Sequence, residues 1–409
     1  GRKLRPDALK SYYRWLRGEM ETGTPWDQIV RQVISARGDT MKNGATNFYS
    51  VHQDPETMAE NVSQAFMSLS INCAKCHNHP LEKWTNDQYY SFANLFARVR
   101  AKGWGGDARS GNGARTLFIA NRGDLIQPRT GKPQPPAPLD GQAIESDSPE
   151  DRREALAEWL TAPENPYFTR SIANRVWANF FGRGIVEPVD DLRVSNPASN
   201  EPLLEAISAH LVENRYDLKA LMRLILQSET YQRTSAPLPE NMGDQKYYSR
   251  YYPRRLMAEV LQDAITSVTR ISPKYDKITL ADGSTQGTNF YRDGTRALQL
   301  FDSSVTSYFL KTFGRNEREI TCECERSNKP SMVQVLHLSN GDTLNSNLRS
   351  EQSCVNVMIP QSDEEIIEET YLLCLSRPPS DGERKRLIAM FDSTPETERR
   401  AAIEDLFRA

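Results

Sequence analysis

Cysteine and histidine are scarce in this chain, with six Cys and five His in 409 residues. So few thiols cannot staple a chain of this length as a disulfide scaffold. Long apolar runs are missing too. None reaches the roughly 18–20 residues that a helix needs to cross a bilayer, so no transmembrane segment is expected in this chain. Neither sign of charge is in excess: 51 Lys and Arg stand against 54 Asp and Glu, a formal net charge of −3. Without a basic field, nucleic acid is not an expected partner, and neither is an anionic lipid surface. A Gly-rich phosphate loop, a dinucleotide turn, GxSxG and HExxH are all lacking. The chain opens at Gly1 in GRKLRPDALKSYY, with no charged-then-apolar leader, which suggests a processed product or a piece of a longer precursor.

What is present reads mostly as helix. Residues 6–22 keep a stripe through Leu9, Tyr12, Tyr13 and Leu16, and Trp26 to Val33 continue it. Residues 55–70 place Met58, Val62, Phe66 and Leu69 on one face. Thr85-x-x-Gln88 is a capping box. A Gly-rich run from Lys102 to Gly113, one short strand at Thr116–Ile119 and a Pro-rich connector over 128–138 interrupt the helices. Asn165-Pro166 opens a helix through Phe168 and Phe180 that Gly182 stops. Residues 199–213, 217–227 and 253–268 read as further helices, the last starting at Pro253. Ser362-x-x-Glu365 and Ser380-x-x-Glu383 flank Arg377-Pro378-Pro379 and mark a helical hairpin. The expected fold class is mainly α, a multi-helical body with minor β and irregular insertions. Three parts are expected: a helical domain over 1–100, a Gly/Pro-rich loop and connector over 101–147, and a second helical domain over 148–409. The second domain carries an irregular insertion near 271–300.

One run carries chemistry: Cys73-Ala74-Lys75-Cys76-His77. Covalent haem attachment uses this spacing, because two thiols three apart add to the two vinyl groups and the next residue offers an imidazole to the iron. Trp84, Tyr89 and Phe92 follow and could wall a porphyrin. The same residues also permit a zinc site completed by His79, a redox dithiol or a disulfide. A dithiol of the thioredoxin kind expects a βαβ setting that the pattern lacks. His79 is too near in sequence to reach the far face of a haem held by His77. A sixth ligand would come from His52, His210, His337 or Met67, with His337, in VQVLHLSNGD near a helix end, the preferred one of these. His210 and Met67 read as structural. The metal-ligating candidates are therefore His77, His79 and His337. Cys322, Cys324, Cys354 and Cys374 leave their pairing open.

MAENVSQAFMSLSINCAKCHNHPLEKWTNDQYYSFANLFARV resembles the first of two paired domains of unknown function in large exported proteins of Planctomycetes and their relatives. ANRVWANFFGRGIVEPVDDLRVSNPAS, YDLKALMRLILQSETYQRTS, PRRLMAEVLQDAI, CECERSNKPSMVQVLHLSNGDTLN and CLSRPPSDGER are similar to the second. Members of this family often carry a cytochrome-c-like domain upstream and are often encoded beside sulfatase-like proteins. The resemblance singles out Cys73, Cys76, His77, His79 and Pro80, then Arg175, Trp177, Gly182, Arg183, Gly184, Pro188, Asp190 and Asp191. Asn179 stands where relatives often have His.

Together these readings lead to an exported c-type haem protein, periplasmic or extracellular. It would pass electrons to a redox partner protein through haem c on Cys73 and Cys76, with His77 as the proximal ligand. Two alternatives stay open. One is a haem-dependent redox enzyme that activates peroxide or oxygen, acting on polysaccharide. The other is an assembly module of a larger surface or periplasmic complex, with a structural metal such as zinc, or a disulfide, at the motif.

Overall fold

A computed structural model describes residues 4–50, 52, 54–103, 113–147, 150–280, 282–318 and 329–408. Most of the Gly-rich run, together with Cys322 and Cys324, lies outside the described residues. The fold is mainly α with minor β, as expected. The chain forms two compact units, a first built on Gly1–Arg254 and a second made of Arg255–Glu317 and Arg326–Ala409. That division falls inside the span from 148 onward that composition and periodicity read as one helical domain.

In the first unit, helix Pro6–Thr22 ends at Gly23 in the left-handed region and is followed by helix Trp26–Ile34. Helix Pro55–Met67 starts where the Asp54 carboxylate accepts the Thr57 N–H at 2.7 Å. It turns Met58, Ala59, Val62 and Phe66 into the core and stops at Ser68, a left-handed residue with φ 53°. Helix Asn86–Asn94 carries the expected capping box, with Thr85 and Gln88 each accepting the other's backbone N–H. Thr116–Ile119 is a strand as expected. It is the centre of an antiparallel sheet between Gly38–Asp39 and Val99–Lys102, with Leu117 opposite both Gly38 and Ala101. Within the connector, Lys132–Pro133 pairs with Ile126–Gln127 in a short hairpin.

Helix Phe168–Phe181 begins where Asn165 Oδ1 accepts the N–H groups of Tyr167 and Phe168, and ends at Gly182 with φ 73°. It packs on helix Pro55–Met67 and on helix Glu201–Glu213, which helix Leu218–Gln227 follows. One core runs through all of these elements, with Met67, Ile71, Trp84, Tyr89, Phe92, Phe96 and Phe168 fully buried.

In the second unit the helix read from Pro253 begins at Ala258 and runs to Thr269. Residues 253–257 carry no regular secondary structure. Arg255 there reaches Gln334 Oε1 at 2.7 Å, a contact that overrides the helix-starting preference of the proline. The β-branched stretch that follows forms a hairpin, Lys277–Thr279 against Thr285–Gly287. Both C-terminal capping boxes close, starting helices Asp363–Leu375 and Asp381–Asp392, and Arg377 clasps Glu383 with two contacts of 2.9 Å.

A buried ion pair sits at the edge of the first core. Arg153 is fully buried, forks onto Asp151 at 3.0 and 2.8 Å, and donates to the Ala36 carbonyl at 3.1 Å. Asp151→Ala would strand that guanidinium, and is expected to cost about 3–5 kcal/mol in urea denaturation. The double variant Asp151→Leu/Arg153→Met should recover most of the loss. A loss within 1 kcal/mol for the single variant would show that the pair is not needed to hold Ala36.

Candidate functional site

The Cys-x-x-Cys-His run sits on a single turn of 3-10 helix, Asn72–Lys75, capped by Cys76. Three residues per turn place side chains i and i+3 one above the other. Cys73 and Cys76 are therefore on the same side, both exposed and both free thiols, while Ala74 points into the core. Several polar contacts pin the turn. Asn86, almost wholly buried, donates its amide to the Ala74 and Lys75 carbonyls at 2.8 and 2.9 Å. Its backbone N–H is held by Asn78 Oδ1 at 3.0 Å, and its own Oδ1 accepts from Gln127 at 2.5 Å. The Tyr90 hydroxyl adds a longer contact of 3.4 Å to the Lys75 carbonyl.

His77 is exposed, and its Nδ1 lies 2.7 Å from the Asn78 carbonyl. A carbonyl only accepts, so Nδ1 carries the proton and Nε2 presents a lone pair. Imidazoles that bind metals are usually fixed this way. His79 is different. It is buried, its N–H closes the loop onto the Trp84 carbonyl at 2.8 Å, and its Nδ1 accepts the Leu81 N–H at 3.2 Å. With Nδ1 accepting, the neutral ring carries its proton on Nε2, and His79 works as a loop fastener in this arrangement.

A second segment locks this region from behind. The Arg175 guanidinium, on helix Phe168–Phe181, reaches the Gln64 carbonyl at 2.8 Å and Asp190 at 2.5 Å, with Ser68 Oγ at 3.4 Å. Ser68 bonds Ser171 at 2.7 Å and receives the Leu192 N–H on its carbonyl at 3.0 Å. Gln64 in turn donates to the Asp190 carbonyl at 3.0 Å. Asn174 holds the loop itself, accepting the Val186 N–H and donating to the Val186 carbonyl, each at 3.0 Å. Gly184 is required here: a Cβ would stand 2.2 Å from the Val186 carbonyl. Trp177 stacks on Phe181 at 4.2 Å and meets Tyr248 edge-on, and the Tyr248 hydroxyl donates to the Gly184 carbonyl at 2.8 Å. Burial pushes the Tyr248 phenol up to about 12, so it stays a donor. Arg193 forks onto Asp191 at 2.5 Å in both contacts, and that carboxylate, with Glu82 and Cys73 adding to it, raises the Arg193 pKa further. The motif residues Arg175, Trp177, Gly184, Asp190 and Asp191 are thus scaffolding for the loop behind the anchor turn.

The remaining candidates lie elsewhere. Trp84, Tyr89 and Phe92 are committed to the core rather than to a porphyrin-facing wall. Tyr89 and Phe92 are buried on helix Asn86–Asn94, and Trp84 is buried just ahead of its cap. Met67 is core, and Asn214 caps His210, its amide 3.3 Å from both ring nitrogens. The His52 N–H meets the Tyr49 carbonyl at 3.2 Å. His337 belongs to the second unit, on helix Met332–Asn340, with Nε2 3.0 Å from the Thr343 hydroxyl and its ring against Tyr308, Phe309 and Phe313. Asn179 is exposed, and its amide folds back on the Arg175 carbonyl at 2.9 Å. Cys354 is buried, which pushes its thiol up, and Cys374 is exposed; both are free.

A haem bound through two thioethers needs two reachable thiols on one side of a turn and an imidazole with a free nitrogen beside them. Cys73, Cys76 and His77 meet that requirement. A zinc site needs converging donors, and among the described residues no three His, Cys, Asp or Glu side chains are gathered to hold a metal ion. Asn86, Asn78, Arg193 and Glu82 are site neighbours that the sequence did not flag. Asn86 had one signal, its position directly after a capping Thr.

These observations define a mainly helical protein whose surface Cys-x-x-Cys-His turn is held by a later helical segment. The chain belongs to the PSD1 family, a protein of unknown function (DUF1553), whose model matches residues 152–391, more than half of its length. Residues 2–101 match the PSCyt2 model, likewise a protein of unknown function (DUF1549). The two domains of unknown function read from the motifs are therefore present. No curated protein and no solved structure matches the chain. The PSD1 match runs from the first compact unit into the second, and its first part packs with the PSCyt2 match in one core.

Arg175→Ala should loosen the anchor turn specifically. The expected loss is about 2 kcal/mol of local protection at residues 68–77 in amide exchange. Helices Asp363–Leu375 and Asp381–Asp392 should be unaffected, and Arg175→Lys should rescue little, because it lacks the fork. Unchanged exchange at 68–77 would mean that the turn is held without Arg175.

Proposed function

We propose that this chain is an exported c-type haem protein that transfers electrons to a redox partner protein. Its haem is joined by thioethers to Cys73 and Cys76, with His77 Nε2 as the proximal iron ligand. The observation that carries the reading is the anchor turn itself. Two free, exposed thiols stand on one side of a pinned 3-10 turn, beside an imidazole whose Nδ1 is already engaged by a carbonyl. When bound, the haem supplies one-electron chemistry at its iron. The protein residues fix geometry: Asn86 and Asn78 hold the turn and the His77 tautomer, and the Arg175 network holds the loop behind it. Thioether formation to haem takes place outside the bacterial cytoplasm, which is why the reading includes export.

The state of the sixth position decides whether the carrier's iron is also open to catalysis. His337 Nε2 is already bonded to the Thr343 hydroxyl and its ring is packed among three aromatic rings. That observation favours an iron open to exogenous ligands, and with it a second reading, peroxide or oxygen activation at the same centre.

The test uses protein matured in a host competent for c-type haem. Denatured wild type should keep a haem on a gel stained for peroxidase activity, and Cys73→Ala/Cys76→Ala should lose it completely. Reduced wild type and His337→Ala should bind carbon monoxide alike. One equivalent of zinc and no haem in native protein would overturn the proposal. A low-spin spectrum that turns high-spin in His337→Ala would make His337 the sixth ligand.

A further inference from the structure

Trp84, Tyr167 and Trp159 follow one another by ring contacts. Trp84, whose carbonyl receives the His79 N–H, is 1% exposed, and its ring centroid lies 6.1 Å from that of Tyr167. Tyr167 lies 6.4 Å from Trp159, which is half-buried on helix Arg152–Leu160. The Tyr167 hydroxyl donates to the Asp140 carboxylate, which also accepts from Lys83 Nζ at 2.8 Å. Lys83 Nζ stands 4.8 Å from the Trp84 ring centroid and 5.9 Å from that of Tyr167. The Trp84 Nε1–H is buried and meets no acceptor among the described residues.

We infer that Trp84, Tyr167 and Trp159 form a one-electron relay running from the Cys-x-x-Cys-His centre, with Tyr167 as the site where the oxidising equivalent comes to rest and Asp140 as its proton acceptor. The relay rests on the second reading above, peroxide activation at the haem centre, for its physiological oxidant. Trp84 gives one electron to the oxidised centre. The resulting indole cation has no neighbour to take its Nε1 proton, and the Lys83 ammonium near its face disfavours added positive charge there. Both features keep it strongly oxidising. Tyr167 then returns one electron to Trp84, its O–H bond breaks, and the proton passes along the existing hydrogen bond to Asp140. The products are restored Trp84, a neutral tyrosyl radical and a neutral Asp140 carboxyl group. One electron entering through Trp159 from an external one-electron donor, with return of the proton from Asp140, resets the relay. Burial and the Asp140 hydrogen bond both raise the Tyr167 pKa, so the resting phenol is protonated and the step is a coupled transfer of electron and proton.

The relay is tested without relying on haem. Azidyl radicals from pulse radiolysis oxidise tryptophan side chains, and tryptophanyl decay and tyrosyl growth are followed in the full chain, haem-free and matured. Wild type should show first-order tyrosyl growth whose rate does not depend on protein concentration. Tyr167→Phe, which keeps the ring, should cut that yield more than twofold. Asp140→Asn should slow the growth at least tenfold while near-ultraviolet circular dichroism stays native. If Asp140→Asn does not fold, Trp84→Phe replaces it and should halve the yield or more. Equal yield and rate in wild type and Tyr167→Phe would overturn the relay, as would an unchanged rate in folded Asp140→Asn. Transfer to Tyr167 in a chain that never acquires haem would support the relay and count against the haem reading. A haem-stained chain with no such transfer would do the reverse.

Discussion

Arg175 makes the contact on which the site depends. One guanidinium joins the end of helix Pro55–Met67, through the Gln64 carbonyl and Ser68, to the Asp190 carboxylate of a loop more than a hundred residues further on. Ser68 holds a left-handed conformation that a non-glycine residue adopts only at some cost. Its hydroxyl and carbonyl are fully used by Ser171 and Leu192, and those bonds offset the strain. Without this junction the chain leaving the helix would have no fixed direction into the anchor turn.

The anchor turn then inherits its geometry from two sides. From behind, the Arg175 network fixes where residue 68 ends. From the flank, the buried Asn86 amide grips the Ala74 and Lys75 carbonyls. The outcome is a short 3-10 segment with Ala74 inward and both thiols outward. The second family match thus works in part as the frame for the chemistry-bearing residues of the first, which is why its Gly184 and Asp190 are buried among backbone atoms rather than facing solvent. On the Trp84 side of the loop, the Trp84 ring meets Tyr167, whose hydroxyl donates to Asp140.

Local signals were legible in the sequence where local physics decides them. The capping boxes at Thr85, Ser362 and Ser380, the Gly182 stop and the strand at Thr116–Ile119 all appear where spacing and residue type placed them. The Cys73–His77 run stood out because Cys and His are rare and their spacing is specific. Long-range geometry was not. Nothing in the sequence says that Arg175 reaches Gln64, or that Asn86 spends its side chain on two carbonyls. The rings of Trp84, Tyr89 and Phe92 read equally well as core or as a porphyrin wall, and packing decided for the core. The helix read from Pro253 starts late for a similar reason, because Arg255 spends its side chain on a tertiary partner ahead of the helix. The compact units cut across the expected domains because core packing follows contacts rather than composition.

The central claim is that the turn at Cys73–His77 is built to take a haem covalently. It is tested most directly by a pyridine haemochrome spectrum of the chain matured in a host competent for c-type haem. The account predicts one haem per chain, with the α-band position of a haem whose two vinyl groups are both saturated by thioethers, retained after acid–acetone extraction. A spectrum with no haem, or with haem that extracts and shows unsaturated vinyl groups, would contradict it.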